Sequence, residues 1–220
     1  MKIAFLVDVH DRFDAVPKAM QQIGAVDLLI IGGDITTGGT ATEAERAIEG
    51  WRPLAPRLLA LAGNMDSPAI DVRLAELGVA LDGAGFKFGE IGVFGVSAAP
   101  KSPLQTPYEL TDEELGRRIQ AGFSSVRNCR VKIFCPHAPP QGTACDRLPR
   151  GEHVGSAVIR NFVETEQPDL VLCGHIHESR GVDEIEGSRI VNPGPAAAGH
   201  YADVQIDDGV VVRLDDEPWP

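Results

Sequence analysis

The sequence has no apolar run long enough to cross a bilayer, no C-x-x-C cysteine pair and a shortage of bases. Each absence removes a class of protein. A spanning helix needs roughly 20 consecutive apolar residues, and the run near the amino end, Ile3 to Val7, is cut short by Asp8. The same interruption leaves too little apolar chain for a secretion signal, so the expected location is cytoplasmic. Lys and Arg number 20 against 32 Asp and Glu, a formal net charge of −12. That balance argues against general nucleic-acid binding, which needs a basic stripe, and against an anionic membrane surface. The cysteines (Cys129, Cys135, Cys145 and Cys173) lack thiolate-site spacing. They are read as small buried residues rather than as disulfides or a zinc site. No internal repeat, low-complexity tract or linker interrupts the chain.

What remains is ordinary for a globular chain: 43% hydrophobic and 24% charged residues over 220 positions. One domain spanning 1–220 is the economical expectation. Short apolar runs alternate with amphipathic stretches. Ile3–Val7, Leu28–Ile31 and Leu58–Leu61 read as buried strands, and Phe13–Ile23, Thr42–Trp51 and Pro68–Leu77 as the helices between and after them. This β-α-β-α-β-α rhythm predicts a parallel sheet with right-handed crossovers. Beyond Gly78, Phe86–Phe88 and Ile91–Val96 read as a hairpin, and Ala98–Pro107 as a Pro-rich loop. Thr111 with Glu114 forms a capping pattern that opens a helix. Val131–Cys135 and Leu170–Cys173 read as strands around a helix at Ser156–Glu166, and four short strands close the chain.

Polar residues gather just beyond the carboxyl ends of these strands, the edge where open α/β sheets bind ligands. The clusters are Asp8-Val9-His10, Gly33-Asp34, Gly63-Asn64, Pro136-His137 and Gly174-His175-Ile176-His177. Taken singly, Asp34 and Asn64 suit turns, and a lone histidine more often sits satisfied in a core than on a metal. Two imidazoles at i and i+2 on an extended segment share a face, however. Four of the six histidines occupy these strand ends, leaving His153 and His200 elsewhere. Imidazole with carboxylate suits Mn, Fe, Zn or Ni rather than Mg or Ca. About seven candidate ligands exceed what one tetrahedral zinc requires, so two ions fit better.

The order Asp8-Val9-His10, Gly33-Asp34, Gly63-Asn64-Met65-Asp66, His137, Gly174-His175-Ile176-His177 resembles the D-x-H, G-D, G-N-H-[DE], H, G-H-x-H order of the calcineurin-like metallophosphoesterases, over residues 3 to about 195. The resemblance implies an α/β fold, a four-layer αββα sandwich with two central mixed β-sheets. It implies two divalent metal ions, manganese foremost with iron, zinc or nickel as alternatives. Asp8, His10 and His177 would hold one, Asn64, His137 and His175 the other, and Asp34 would bridge them. Water between the ions would attack phosphorus, with Asp34, His10 and the Asn64 amide as catalytic residues. Family members carry a histidine where this chain has Met65. A thioether cannot donate a proton, and this departure tilts the expectation from monoesterase to phosphodiesterase. Asp66 is expected to orient a His or Asn ligand. Asn192-Pro193-Gly194-Pro195 is similar to a structural turn of the family beside the metal loop.

The polar loop Gln141–Gly155 follows His137, and its Arg147, Arg150 and His153 are candidate substrate contacts. A small phosphorylated substrate is the expected partner, without membrane or general nucleic-acid binding. The competing readings are a scaffold on the same fold that has lost activity, against which the retained ligands argue, and an amidohydrolase-like enzyme. The latter requires an eight-stranded barrel for which neither rhythm nor length provides.

Overall fold

The computed structural model describes residues 1–207 and 209–215. In chain order its elements are β1 (Lys2–Leu6), α1 (Ala15–Ile23), β2 (Leu28–Ile31), α2 (Ala41–Trp51), β3 (Leu58–Ala60) and α3 (Pro68–Glu76). Then come β4 (Gly85–Phe88), β5 (Ile91–Val96), β6 (Ala99–Pro100), β7 (Glu109–Leu110), α4 (Asp112–Val126) and β8 (Val131–Pro136). Last are α5 (Ala157–Glu166), β9 (Leu170–Leu172), β10 (Gly181–Ile185), β11 (Ser188–Asn192), β12 (Ala202–Ile206) and β13 (Val210–Leu214).

Burial on both faces explains why the central strands are unbroken apolar runs. Ile3, Phe5, Leu28, Ile30 and Leu59 point into one core, together with Val93, Ile133, Leu170 and Leu172 from the second sheet. Their neighbours Ala4, Leu6, Leu29 and Ile31 point the other way, onto Val16 and Met20 of α1 and Ala44 and Ile48 of α2. The first sheet runs β13-β12-β1-β2-β3 and the second β10-β11-β9-β8-β5-β4. The two sheets share an apolar interior, and helices cover their outer faces. This is the four-layer αββα sandwich. As the rhythm predicts, β1, β2 and β3 are parallel. So are β5, β8, β9 and β11, while β4, β10, β12 and β13 add antiparallel pairs that make both sheets mixed.

On the outer face of the second sheet, Phe94 stacks on Phe134 with centroids 4.8 Å apart and planes 9° from parallel. Phe123 of α4 and Phe162 of α5 meet Phe94 from above, Phe162 edge-on. The α4 capping box forms as expected: Thr111 Oγ1 accepts from the Glu114 amide, and the Glu114 carboxylate accepts from the Thr111 amide. The Ala98–Pro107 stretch is less irregular than its prolines suggest, because Ala99–Pro100 pairs in parallel with Glu109–Leu110. Among the cysteines, Cys135, Cys145 and Cys173 are buried, Cys129 is half-buried, and all four are free thiols.

Candidate metal centre

Both sheets deliver side chains to one seam at their carboxyl ends. Asp8 and His10 follow β1, Asp34 follows β2 and Asn64 follows β3; His137 follows β8, and His175 and His177 follow β9. Four of these residues turn off their strands with left-handed backbone: Asp8 at φ 57°, His10 at 46°, Asp34 at 48° and His175 at 69°. For residues other than glycine such angles are sparsely populated, and they persist only where surroundings enforce them. Here the enforcement comes from backbone bonds between neighbouring turns. The Asp8 amide donates to the Gly33 carbonyl at 3.0 Å, and the His10 amide to the Asp34 carbonyl at 2.9 Å. The adjoining glycines are a matter of space. A methyl group on Gly63 would overlap the Asp34 carboxylate, and one on Gly174 would overlap Val7 and Asp8.

The imidazoles present nitrogen atoms inward. His10 Nε2 and His177 Nε2 face each other at 3.2 Å. Asp34 Oδ2 lies 3.6 Å from both His10 Nε2 and His137 Nε2. His137 Nδ1 is fixed on the Gly32 carbonyl at 3.0 Å, so its Nε2 is left to face the Asn64 side-chain oxygen, also at 3.0 Å. His10 is oriented by Thr37 Oγ1 at 2.9 Å. Asp8 Oδ2 accepts from the His175 amide at 2.9 Å and lies 3.8 Å from His177 Nε2. Two sets of donor atoms, Asp8-His10-His177 and Asp8-Asp34-His137, each lie within 4.8 Å of one another. His175 stands beside them, its ring centroid 5.3 Å from that of His137.

A site built to hold cations should look incomplete on its own, and this one does. Asp8 Oδ1 is buried and has no hydrogen-bond partner among the described residues, a costly arrangement unless something positive meets it. The two imidazole nitrogens at 3.2 Å can form at most one hydrogen bond between them. The donor set of carboxylate, amide and imidazole therefore fits divalent ions of the transition-metal kind.

The charges respond to one another strongly. Burial works against protonation of His137, but the Asp34 carboxylate, aided by Asp8 and the Gly32 carbonyl, outweighs it and raises the imidazole to about 9. His175 goes the other way, to about 4, through burial and the neighbouring His137 charge. For Asp34, burial is outweighed by His137 and His10, which hold the carboxyl below its ordinary range. Asp66 is lifted to about 6 by burial and then by the Asp34 charge.

Asp66 is a correction to expectation. Its carboxylate holds backbone, not a ligand side chain: it accepts from the amides of Gly63, Ile35 and Thr36 at 2.8–3.0 Å and from Thr36 Oγ1. It thus clamps the Asp34 turn against the Asn64 turn. Asn192 plays a matching part in the second sheet. Its amide nitrogen donates to the Ile176 carbonyl, between His175 and His177, and its oxygen accepts from Gly194.

The seam opens into a cavity of about 870 Å³, whose wall includes His10, Asp34, Asn64, Met65, His175 and His177. The Lys101–Thr106 segment forms a further part of that wall, which no sequence motif announced. Of the loop residues singled out in the sequence, His153 lines the cavity. Arg147 and Arg150 are exposed and are not brought to it. The loop folds around the buried Asp146, and Arg147 is used there through its backbone, its carbonyl accepting from Ser179. His200 lies apart, hydrogen-bonded to Asp215 at 2.8 Å.

A model of the calcineurin-like phosphoesterase family matches residues 1–179, and the chain belongs to that family. An uncharacterized protein of Methanocaldococcus jannaschii is 33% identical over 202 residues, covering 89% of this chain and 88% of that protein. The structure of TT1561 from Thermus thermophilus is similar in fold, with a TM-score of 0.74 at 16% identity over 96% of this chain and 97% of that one. An archaeal phosphodiesterase has a TM-score of 0.57 at 14% identity, with 98% of this chain and 99% of that one covered. The chain is a phosphoesterase by family, and the family's divalent metal ions have candidate ligands in the described seam. No helix among the described residues is long and apolar enough to cross a membrane.

Proposed function

We propose that the chain is a cytoplasmic phosphodiesterase that hydrolyses a small phosphate diester with two divalent cations, manganese foremost. The observation that carries this reading is a cavity wall that presents Asp34, Asn64, His10, His175 and His177, with Asp8 and His137 buried directly behind it and one Asp8 carboxylate oxygen left unpartnered among the described residues. Asp8, His10 and His177 would hold one ion, Asn64, His137 and His175 the other, and Asp34 would stand between them. Bound there, the ions would supply Lewis acidity toward water and the phosphoryl oxygens.

The chain's own residues do the rest. Asp66 and Asn192 keep the opposing turns in place, so the ligands need no reorganisation during reaction. Asn64 directs its carbonyl oxygen toward His137 and has its amide nitrogen left to donate to a phosphoryl oxygen. Met65 lines the cavity beside it and offers no proton, which favours a singly charged diester over a monoester. The fold is one on which an archaeal phosphodiesterase is built.

The test is paired hydrolysis of bis(4-nitrophenyl) phosphate and 4-nitrophenyl phosphate with added manganese. Faster turnover of the diester is expected, abolished in Asp34→Ala. A metal-loaded protein that cleaves neither ester, or an Asp34→Ala variant as active as the parent, overturns the reading.

A further inference from the structure

We propose that His153, held in place by Asp146, is the general acid that protonates the leaving alkoxide, a role Met65 cannot fill. The inference rests on the phosphodiesterase reading above. Its basis is a built arrangement rather than a lone histidine. Asp146 is fully buried, and both of its oxygens are engaged. Oδ1 accepts from the Thr143 amide at 2.8 Å and from His153 Nδ1 at 2.7 Å, while Oδ2 accepts from the amides of Gly142 at 3.0 Å and Gly155 at 2.9 Å. A carboxylate tied at this many points cannot swing, so it fixes the ring as well as the proton on Nδ1. The His153 side chain is 39% exposed and lines the same cavity as Asn64 and Asp34. Its Nε2 makes no hydrogen bond among the described residues. Carboxylate on one nitrogen and reacting group on the other is the arrangement that orients an imidazole for proton transfer.

The other proton carriers on the cavity wall serve less well. Glu109 works against burial with four hydrogen bonds from Ser102 and Thr106, which hold it ionised down to about 2. Asp112, Glu152 and Glu178 are exposed, and their side chains have no hydrogen-bonded partner among the described residues to aim them. Lys101 is likewise exposed and unanchored.

In the step, the oxygen of water forms a bond to phosphorus while the bond from phosphorus to the leaving oxygen breaks. The leaving oxygen keeps the bonding pair and takes the Nε2 proton, so the imidazolium becomes neutral imidazole and an alcohol departs. The attacking water loses one proton to solvent, and His153 regains one from solvent before the next turnover. The proton on Nδ1 stays there throughout, in its hydrogen bond to Asp146.

The experiment compares two diesters of similar shape on the manganese-loaded enzyme, ethyl 4-nitrophenyl phosphate and ethyl benzyl phosphate. The first expels a stabilised phenolate and the second an alkoxide that needs a proton. His153→Gln is expected to lose on the order of 10²–10⁴-fold on the benzyl ester but less than about threefold on the nitrophenyl ester. Added imidazole should restore part of the benzyl activity to His153→Ala. Asp146→Asn, as the positioning residue, should show the same leaving-group bias to a smaller degree; if that buried variant fails to fold, the His153 variants decide alone. Equal loss on both esters, or none on either, overturns the inference and leaves the phosphodiesterase reading standing. A parent enzyme that cleaves neither ester overturns that reading and this inference with it.

Discussion

The Met65 backbone amide donates to Asp34 Oδ1 at 2.7 Å. Position 65 thus helps to fix Asp34 through its backbone. Asp34 Oδ2 is left toward His10 and His137. Asp34→Ala should lower bound manganese and cut turnover of a chromogenic diester on the order of 10³-fold, the several kcal/mol expected of lost metal stabilisation. Elemental analysis and initial rates check both parts, and full metal content in the variant would contradict the bridging role.

Gly63→Ala should be as damaging as removing a ligand, although it touches no metal donor by chemistry. The added methyl would displace the Asp34 carboxylate. We expect a stably folded protein with depleted manganese, read by circular dichroism beside elemental analysis. Normal metal content would show that the seam has more slack than its spacing implies.

Metal binding should expel protons. His137 has its folded value raised from 6.5 to about 9, so the metal-free protein holds a proton there at about pH 7.5. The sign follows directly: this charge stabilises the metal-free fold fully below pH 6.5, and the contribution disappears as pH rises through about 9. A metal ion competes with that proton, so affinity should climb across the same window. Titrating manganese calorimetrically near neutral pH in two buffers of different ionisation enthalpy should give different heats. Identical heats would remove His137 from the ligand set.

Chelation should soften the whole molecule. Ions that bind only the folded chain stabilise it by about 2.7 kcal/mol at roughly a hundredfold excess over the dissociation constant. For a chain of this size that corresponds to a melting temperature about 5–10 °C higher with manganese than with EDTA. A melting curve indifferent to EDTA would mean that the ions do not bind the folded state selectively.

The strand-end residues that gather at the seam are legible in the sequence for a physical reason. Ligands at strand ends sit beside apolar runs whose identity is fixed by burial on both faces, so Asp8, Asp34 and His137 were marked by their neighbours. The capping box at Thr111 is similarly local. What stayed hidden depends on distant pairing. The two-residue ladder between Ala99–Pro100 and Glu109–Leu110 is too short for any periodicity to reveal. Asp66 was expected to orient a side chain, whereas its acceptors are filled by amides 31 and 30 positions away as well as nearby. Arg147 and Arg150 suit a phosphate by charge and by their place in the loop after His137, and the fold around Asp146 leaves them at the surface.

The Asp8 carboxylate receives the His175 amide across 167 positions of sequence. A ribosome adding on the order of 5–20 residues per second thus makes one half of the seam many seconds before the other. Through most of that interval Asp8, His10 and Asp34 stand without the histidines of the second sheet, and a nascent chain stalled before Gly174 would still lack His175 and His177.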